Sequence, residues 1–142
     1  MNGETRPTEI TVSFVISGRD LDLDECSKVI GRLPSRKWQQ KHAHLRARTD
    51  LPNSGWIVEI DWTPATSVND VTSALLDQLW QHRGEISAYM RTHSVSAGVE
   101  CGVRIWSDPP LYELRQDVIC KLCDLHAAFG LSIYDYREKV GS

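Results

Sequence analysis

The stretch V-S-A-G-V-E-C-G-V-R-I-W at residues 95–106 decides the fold. Its odd positions, from Val95 to Ile105, are all apolar, whereas its even positions are mostly small or polar. Because successive side chains of a strand point to opposite faces, this alternation predicts a long strand with one buried face. A strand of this length has room for neighbours on both sides, so we place it inside a sheet.

The rest of the chain alternates between strand and helix patterns. The first half of the chain predicts a strand over 10–17, a helix capped by Asp22 and closed by Gly31, an edge strand within 36–48, and a strand with Trp56, Val58, Ile60 and Trp62 on one face. The second half predicts a helix from Ser67 to about Arg91, the strand over 95–106, a further helix closed by Gly130, and a last strand over 131–136. The apolar side of that further helix consists of Leu114, Val118, Leu122, Leu125 and Phe129. Alternating strands indicate a sheet that is covered on one face. The order β-α-β-β-α-β-α-β therefore predicts an α+β two-layer sandwich, ferredoxin-like in spirit, with a mostly antiparallel sheet and helices packed on one face.

Composition favours one ordinary globular domain over residues 1–142, with an ordered core at about 9–137 and frayed ends. The net charge of −3 disfavours a general nucleic-acid binder. No apolar run reaches the roughly 20 residues of a membrane span, and the polar start is unlike a signal peptide. Four cysteines at irregular spacing are few for a disulfide framework, so we expect a soluble cytoplasmic protein with reduced thiols.

A basic segment is the strongest charge asymmetry in the chain. From Arg32 to Arg48 there are six Lys or Arg residues and no acid, with a tryptophan among them. Arginine and tryptophan are the residues that most often anchor protein interfaces. We therefore predict a partner-binding surface for another protein, formed by Arg36, Trp38, Arg46, Arg48 and Trp106, the last on the non-core face of its strand.

A cysteine pair, Cys120 and Cys123, lies three residues before His126 and is the alternative candidate site. An exposed C-x-x-C could form a redox pair or half of a zinc site. A structural zinc needs four ligands, however, and the chain has no second C-x-x-C. We predict no metal and no cofactor, and Cys120, Cys123 and His126 are the candidates that would form a site if a metal is bound.

The chain has no sequence motif of a known catalytic site: no G-x-S-x-G, no Walker loop, no G-x-G-x-x-G and no H-E-x-x-H. A carboxylate–histidine pair from distant segments, for instance Asp135 with His93 or His126, stays open at this stage. The sequence leans against an enzyme and predicts no catalytic residue.

Several landmarks together resemble a bacterial family known as domain of unknown function 4279. They are F-V-I-S-G-R-D-L-D-L-D-E at 14–25, V-I-G-R-L-P at 29–34, Trp56 at the opening of a strand, L-D-Q-L-W at 76–80 and L-S-I-Y-D-Y at 131–136. The resemblance implies a small bacterial cytoplasmic domain and carries over no catalytic residues. Some small bacterial domains of this kind act as antitoxin-like immunity proteins, by analogy. The leading hypothesis is a non-catalytic protein-interaction domain; the alternative is a small-ligand or metal-binding protein, or an enzyme, that uses Cys120, Cys123 and His126.

Overall fold

The computed structural model describes residues 5–19, 21–38 and 54–137. In chain order its elements are β1 (Glu9–Gly18), α1 (Leu23–Ile30), β2 (Arg36–Trp38), β3 (Ser54–Pro64), α2 (Val68–Leu79), α3 (Arg83–Thr92), β4 (Val95–Ile105), α4 (Gln116–Asp124) and β5 (Ala127–Asp135). A 3-10 turn at Trp80–His82 joins α2 to α3, so the two form one bent helix. The predicted order of strands and helices is confirmed.

The five strands form one mixed sheet in the order β2-β3-β1-β4-β5. All neighbouring strands are antiparallel except β4 and β5, which are parallel and are connected through α4. Strand β4 has neighbours on both sides, as its length indicates, while β1 takes the middle place. The predicted α+β class with a mostly antiparallel sheet is confirmed.

One face of the sheet and the inner sides of the helices form a single apolar core. Strand β1 contributes every second residue from Ile10 to Ile16, and all four are almost completely buried. Trp56 of β3 is fully buried on the same face, and its indole Nε1 donates to Ser27 Oγ of α1 at 3.0 Å. Leu75 of α2 and Val118 of α4 are also fully buried in this core. The helices therefore lie on one side of the sheet, as predicted.

Strand β3 changes face part-way along its length. Residues 10 and 12 of β1 are two positions apart, whereas their partners on β3, Thr63 and Ile60, are three apart. Such a bulge sends the side chains beyond it to the opposite face. Trp62 therefore lies on the face that points away from the helices, and the prediction that it shares a face with Trp56 is wrong.

Helix α4 is shorter than its apolar spacing predicts. It ends at Asp124, and β5 begins at Ala127, so Phe129 belongs to the strand. His126 has a φ of 56°, a left-handed conformation that stops the helix and turns the chain toward the sheet. The prediction that the helix reaches Phe129 and is closed by Gly130 is wrong, because apolar residues at this spacing fit the end of a helix and the start of a strand equally well.

Helix α1 ends at a glycine whose conformation other residues avoid. Gly31 has a φ of 80°, and a Cβ there would collide with the imidazole of His82. We expect Gly31→Ala to lower the free energy of unfolding by about 1–2 kcal/mol, because alanine is strained in the left-handed region. Urea unfolding followed by circular dichroism measures the change.

The matched control for that substitution is Gly84→Ala. Gly84 lies in α3, and nothing stands within 4 Å of the position that its Cβ would take. Alanine should be neutral there or stabilise by up to about 1 kcal/mol, since glycine is a poor helix former. Equal stability of Gly31→Ala and the unsubstituted protein would contradict the left-handed cap.

Candidate functional site: the open face of the sheet

The sheet face that points away from the helices carries the residues best placed to meet a partner; we call it the open face. No helix of the described residues covers it. Its side chains are mostly small or polar, and on the three central strands they include Thr11, Ser13, Gly98, Glu100 and Gly102. Gly130 continues this face on β5, where the Glu100 carboxylate occupies the space that a Cβ would need. Small residues thus allow long side chains to lie flat across the strands.

Three residues from three strands form what we call the Arg104 cluster: Trp62 of β3, Arg104 of β4 and Tyr134 of β5. The guanidinium carbon of Arg104 lies 3.8 Å from the centre of the Trp62 ring. Tyr134 is the partner of Arg104 in the parallel register and is 48 % exposed. A Cβ at Gly102 would come within 3.0 Å of the indole, so glycine lets Trp62 lie close against β4.

The cationic group of Arg104 has no acidic partner among the described residues. Glu9 is its cross-strand neighbour, but the Glu9 carboxylate lies 3.7 Å from Arg6 and accepts from Trp106 Nε1 at 3.3 Å. Stacking on an indole holds a guanidinium in place and leaves its N–H edge available to an acceptor. Within the described residues, Arg104 is therefore a fixed cation that lies on the open face without a counter-ion.

Trp106 lies beside this cluster, on the non-core side of the sheet as predicted. Its ring is half-buried and stacks on Tyr136, with 4.4 Å between the ring centres and 18° between the planes. The Arg6 guanidinium covers the Trp106 ring at 3.8 Å. Trp106 therefore presents less free surface than the sequence prediction assumes, because neighbours occupy its ring.

Of the other residues predicted to bind a partner, the two that the structure describes, Arg36 and Trp38, lie far from Trp106. Arg36 lies on β2, where its guanidinium pairs with Glu59 at 3.2 Å. Trp38 pairs with Gly55 as the last described residue of the same strand, and Arg46 and Arg48 lie outside the described residues. Three strand spacings and eight residues along β4 place Arg36 roughly 30 Å from Trp106. The two belong to opposite ends of the sheet.

The cysteine pair and His126 do not converge. Cys120 and Cys123 are exposed on α4, whereas the His126 side chain turns to α3, where its Nε2 lies 3.2 Å from Ser87 Oγ. Within residues 5–19, 21–38 and 54–137, no three histidine, cysteine or acidic side chains are placed to hold a metal ion. Arg91 also donates to Ser87 Oγ, at 3.0 Å, so the serine belongs to a surface hydrogen-bond chain.

The carboxylate–histidine pairs that the sequence left open do not form. Asp135 binds Arg137 instead, with the guanidinium Nη2 2.6 Å and Nε 3.0 Å from the two carboxylate oxygens. These hydrogen bonds lower the pKa of Asp135 to about 2. His93 lies 3.8 Å from Glu25 and stacks on Tyr89. Asp135 is therefore a fixed anion at ordinary pH and is unsuited to general-base chemistry.

The two remaining cysteines are part of the core. Cys26 is buried on the side of α1 that faces the sheet, and Cys101 is buried on the side of β4 that faces the helices, as the sequence patterns predict. Burial raises the pKa of both thiols, and that of Cys101 reaches about 11. Neither is a nucleophile at neutral pH, because the thiolate is the reactive form.

A shallow cavity of about 390 Å³ opens at the end of the sheet where β1 begins and β3 and β4 end. Its walls include Pro7, Thr8, Pro64, Ser107, Asp108 and Pro109. Two of these residues are joined by a hydrogen bond, which Thr8 Oγ1 donates to the Asp108 carbonyl at 2.7 Å. With one carboxylate and neither imidazole nor thiol in its lining, the cavity lacks a catalytic pair.

A family match covers almost the whole described chain. The family described as Domain of unknown function (DUF4279) matches residues 8–136. The chain belongs to this family. Neither a curated protein sequence nor a solved structure matches this chain. The DUF4279 match spans all five strands and the four helices, so the fold described above is the fold of the family region.

None of the helices in the described part of this DUF4279 chain has the length and apolarity of a membrane-crossing segment. The longest, α2, has 12 residues and carries Asn69, Asp70 and Asp77. The helices serve to cover the sheet, and their apolar sides face the core.

Proposed function

We propose that this DUF4279 protein is a non-catalytic interaction domain that binds an acidic segment of another protein on the open face of its sheet. The observation that carries the proposal is Arg104, held flat on Trp62 without an acidic partner in the described chain, beside the exposed ring of Tyr134. An antitoxin or immunity protein, which works by covering another protein, is the most specific form of this proposal.

The geometry of the Arg104 cluster favours recognition of a carboxylate. A guanidinium presents several N–H groups in one plane and meets a carboxylate with two parallel hydrogen bonds. Stacking on Trp62 fixes that plane in advance, which reduces the side-chain entropy lost on binding, a cost of about 0.5–1.5 kcal/mol for a free side chain. Tyr134 adds an aromatic surface at the side of the same cluster, and arginine with aromatic residues is the composition of interface hot spots.

The surrounding charges favour a protein partner over a nucleic acid. Binding to a phosphate backbone needs several cations along one track. On this face Glu9 is the cross-strand neighbour of Arg104 and Glu100 lies four residues before it in β4, and the whole chain has a net charge of −3. A short acidic segment that places one carboxylate on Arg104 avoids these acids, whereas a long phosphate backbone would meet them.

The test is capture of the partner from native lysate with the tagged full chain, followed by affinity measurements on the purified pair. We expect Arg104→Ala to weaken binding at least tenfold, because it removes the anchoring cation, and Trp62→Ala to weaken it by a similar factor, because Arg104 then loses its support. Isothermal titration calorimetry gives the two affinities.

Arg83→Ala is the matched control. Arg83 also stacks on a tryptophan, Trp80, at 5.1 Å, but in the bent helix on the other side of the sheet. The Arg83→Ala chain should bind the partner with the same affinity as the unsubstituted chain. Unchanged affinity of Arg104→Ala would overturn the proposal. So would a partner that is released by Arg46→Glu/Arg48→Glu and retained by Arg104→Ala, since the basic segment would then be the binding surface.

A further inference from the structure

Strand β5 leaves one edge of the sheet unpaired along its whole length. It is the last strand in the order, and no strand of the described residues pairs with its outer side. The Tyr136 N–H donates to the Ile105 carbonyl at 2.9 Å, which places the backbone groups of the even-numbered residues toward β4. Because backbone groups alternate along a strand, the odd-numbered residues from Ala127 to Asp135 direct their N–H and C=O groups outward. They form a row of donors and acceptors ready for another strand.

The two edges of the sheet differ in how they are protected. At the opposite edge, two of the three described residues of β2 are the cations Arg36 and Lys37. Strand β5 has nine residues with neither proline nor a cation among them. Short length and charge are the usual devices that prevent edge-to-edge pairing. Their absence from β5 indicates an edge that is meant to be covered.

Exposed apolar side chains accompany this free edge. Leu131 and Ile133, on the helix side of β5, are 39 % and 49 % exposed. Ile119 of α4 is 48 % exposed and lies on the side of that helix turned away from α2, since Lys121 on the other side pairs with Asp77. A backbone edge and an apolar border therefore occur together, as in interfaces built by strand addition.

We propose that two copies of the chain pair antiparallel through their β5 edges, so that the two sheets become one continuous sheet. With a two-fold axis at Leu131, the residues whose backbone groups point outward lie opposite each other in hydrogen-bonded pairs. On the helix side, Leu131 of one copy meets Leu131 of the other, and Phe129 meets Ile133. On the open face, Gly130 meets Ser132 and Ala128 meets Tyr134, so that each large side chain lies beside a small one.

The charges of the strand also suit a second copy. Asp135 is the only charged residue in β5, and its carboxylate is already bound by Arg137 of the same chain. In the proposed register Asp135 faces Ala127 of the other copy, so no two like charges oppose each other. Both copies can therefore approach along the full length of the edge without electrostatic cost in the strand.

Size-exclusion chromatography with light scattering on the full chain tests the proposal. We expect a mass of twice 16.1 kDa, which falls to the monomer mass on dilution. Leu131→Lys should raise the dissociation constant at least tenfold, because it places two cations against each other on the axis. Leu33→Lys is the matched control: Leu33 is 80 % exposed but lies between α1 and β2, and its substitution should leave the dimer intact.

A disulfide experiment tests the register independently of Leu131→Lys. In a chain with Cys120→Ser and Cys123→Ser, Leu131→Cys should form a covalent dimer on oxidation, because Cα atoms in a hydrogen-bonded antiparallel pair are about 5.5 Å apart and suit a disulfide. Ile133→Cys should not, since it faces Phe129. A chain that stays monomeric at every concentration, a dimer that survives Leu131→Lys, or equal cross-linking of both cysteine variants would overturn the proposal. An edge that pairs only with a strand of a different protein would appear as the monomeric outcome.

Discussion

Trp56→Ala is expected to lower the free energy of unfolding by about 3–5 kcal/mol, the largest loss of stability that we predict for a single substitution. Trp56 is fully buried against α1, so alanine leaves a cavity that the sheet cannot close by relaxation. The substitution also removes the indole donor of Ser27, whose hydroxyl oxygen then loses its partner at 3.0 Å. Urea unfolding followed by far-ultraviolet circular dichroism measures the loss.

Trp62→Ala is the matched control, since the same strand carries the same residue type six positions later. Trp62 is half-buried on the open face, and alanine there removes mainly the stacking on Arg104, a contribution of about 1 kcal/mol. The contrast between the two tryptophans tests the bulge in β3 directly. Equal destabilisation by both substitutions would mean that they share one core face and that β3 is regular.

The four thiols are expected to separate into two classes with very different reactivity. Cys120 and Cys123 are exposed, whereas Cys26 and Cys101 are buried. Burial raises the pKa of Cys101 to about 11, so at pH 8 its thiolate fraction is about 100-fold lower than that of an ordinary cysteine thiol. An aromatic disulfide reagent should therefore modify two thiols rapidly in the native protein and two more only after unfolding in guanidinium.

The pKa of Cys101 also determines how the rate of its reaction with the reagent changes with pH. Raising the pH toward 11 should increase the thiolate fraction of Cys101, whereas lowering the pH should suppress its reaction further. Cys120→Ser/Cys123→Ser should abolish the rapid phase and leave the slow one. A third thiol that reacts rapidly in the native chain would contradict the placement of Cys26 and Cys101 in the core.

The fold was largely predictable, because its main signals are local. Alternation along β1 and β4 reveals which side of each strand is buried, and the oxygen of Asp22 marks the start of α1 by accepting from the Glu25 N–H at 3.1 Å. Ser67 begins α2 in the same way. Each of these signals depends on residues within one turn or one strand, so no knowledge of the three-dimensional neighbours is needed.

The Arg104 cluster was not predictable, because it depends on a register. The sequence places Arg104 on the polar side of β4, which is correct, but it gives no sign that β3 contains an extra residue. Without the bulge, Trp62 would be assigned to the core and could not meet Arg104. The basic segment predicts a binding surface because it is a run of cations, but Arg36 of that segment is already paired with Glu59. A cation's availability depends on its acidic neighbours, which come from distant parts of the chain.

The start of α4 shows the same limit. Arg115 offers no side-chain cap to the first turn of α4, but its own backbone N–H donates to Asn69 Oδ1 of α2 at 2.8 Å. Asn69 is buried, and its sequence position inside a helix suggests no such role. Long-range hydrogen bonds of this kind leave no periodic trace, so the sequence gives no sign of this contact between α2 and the start of α4.

The middle place of β1 has a consequence for how the protein is made. A ribosome releases β1 first, but the strands that flank it, β3 and β4, end at Pro64 and Ile105. At roughly 5–20 residues per second, roughly 4–17 s separate the synthesis of Gly18 from that of Ile105. During this interval β1 lacks one or both of its neighbouring strands, and α1, which is made directly after it, is the first element able to shield its apolar face. The order of synthesis, rather than the finished structure, therefore sets the period in which this protein is most exposed to aggregation.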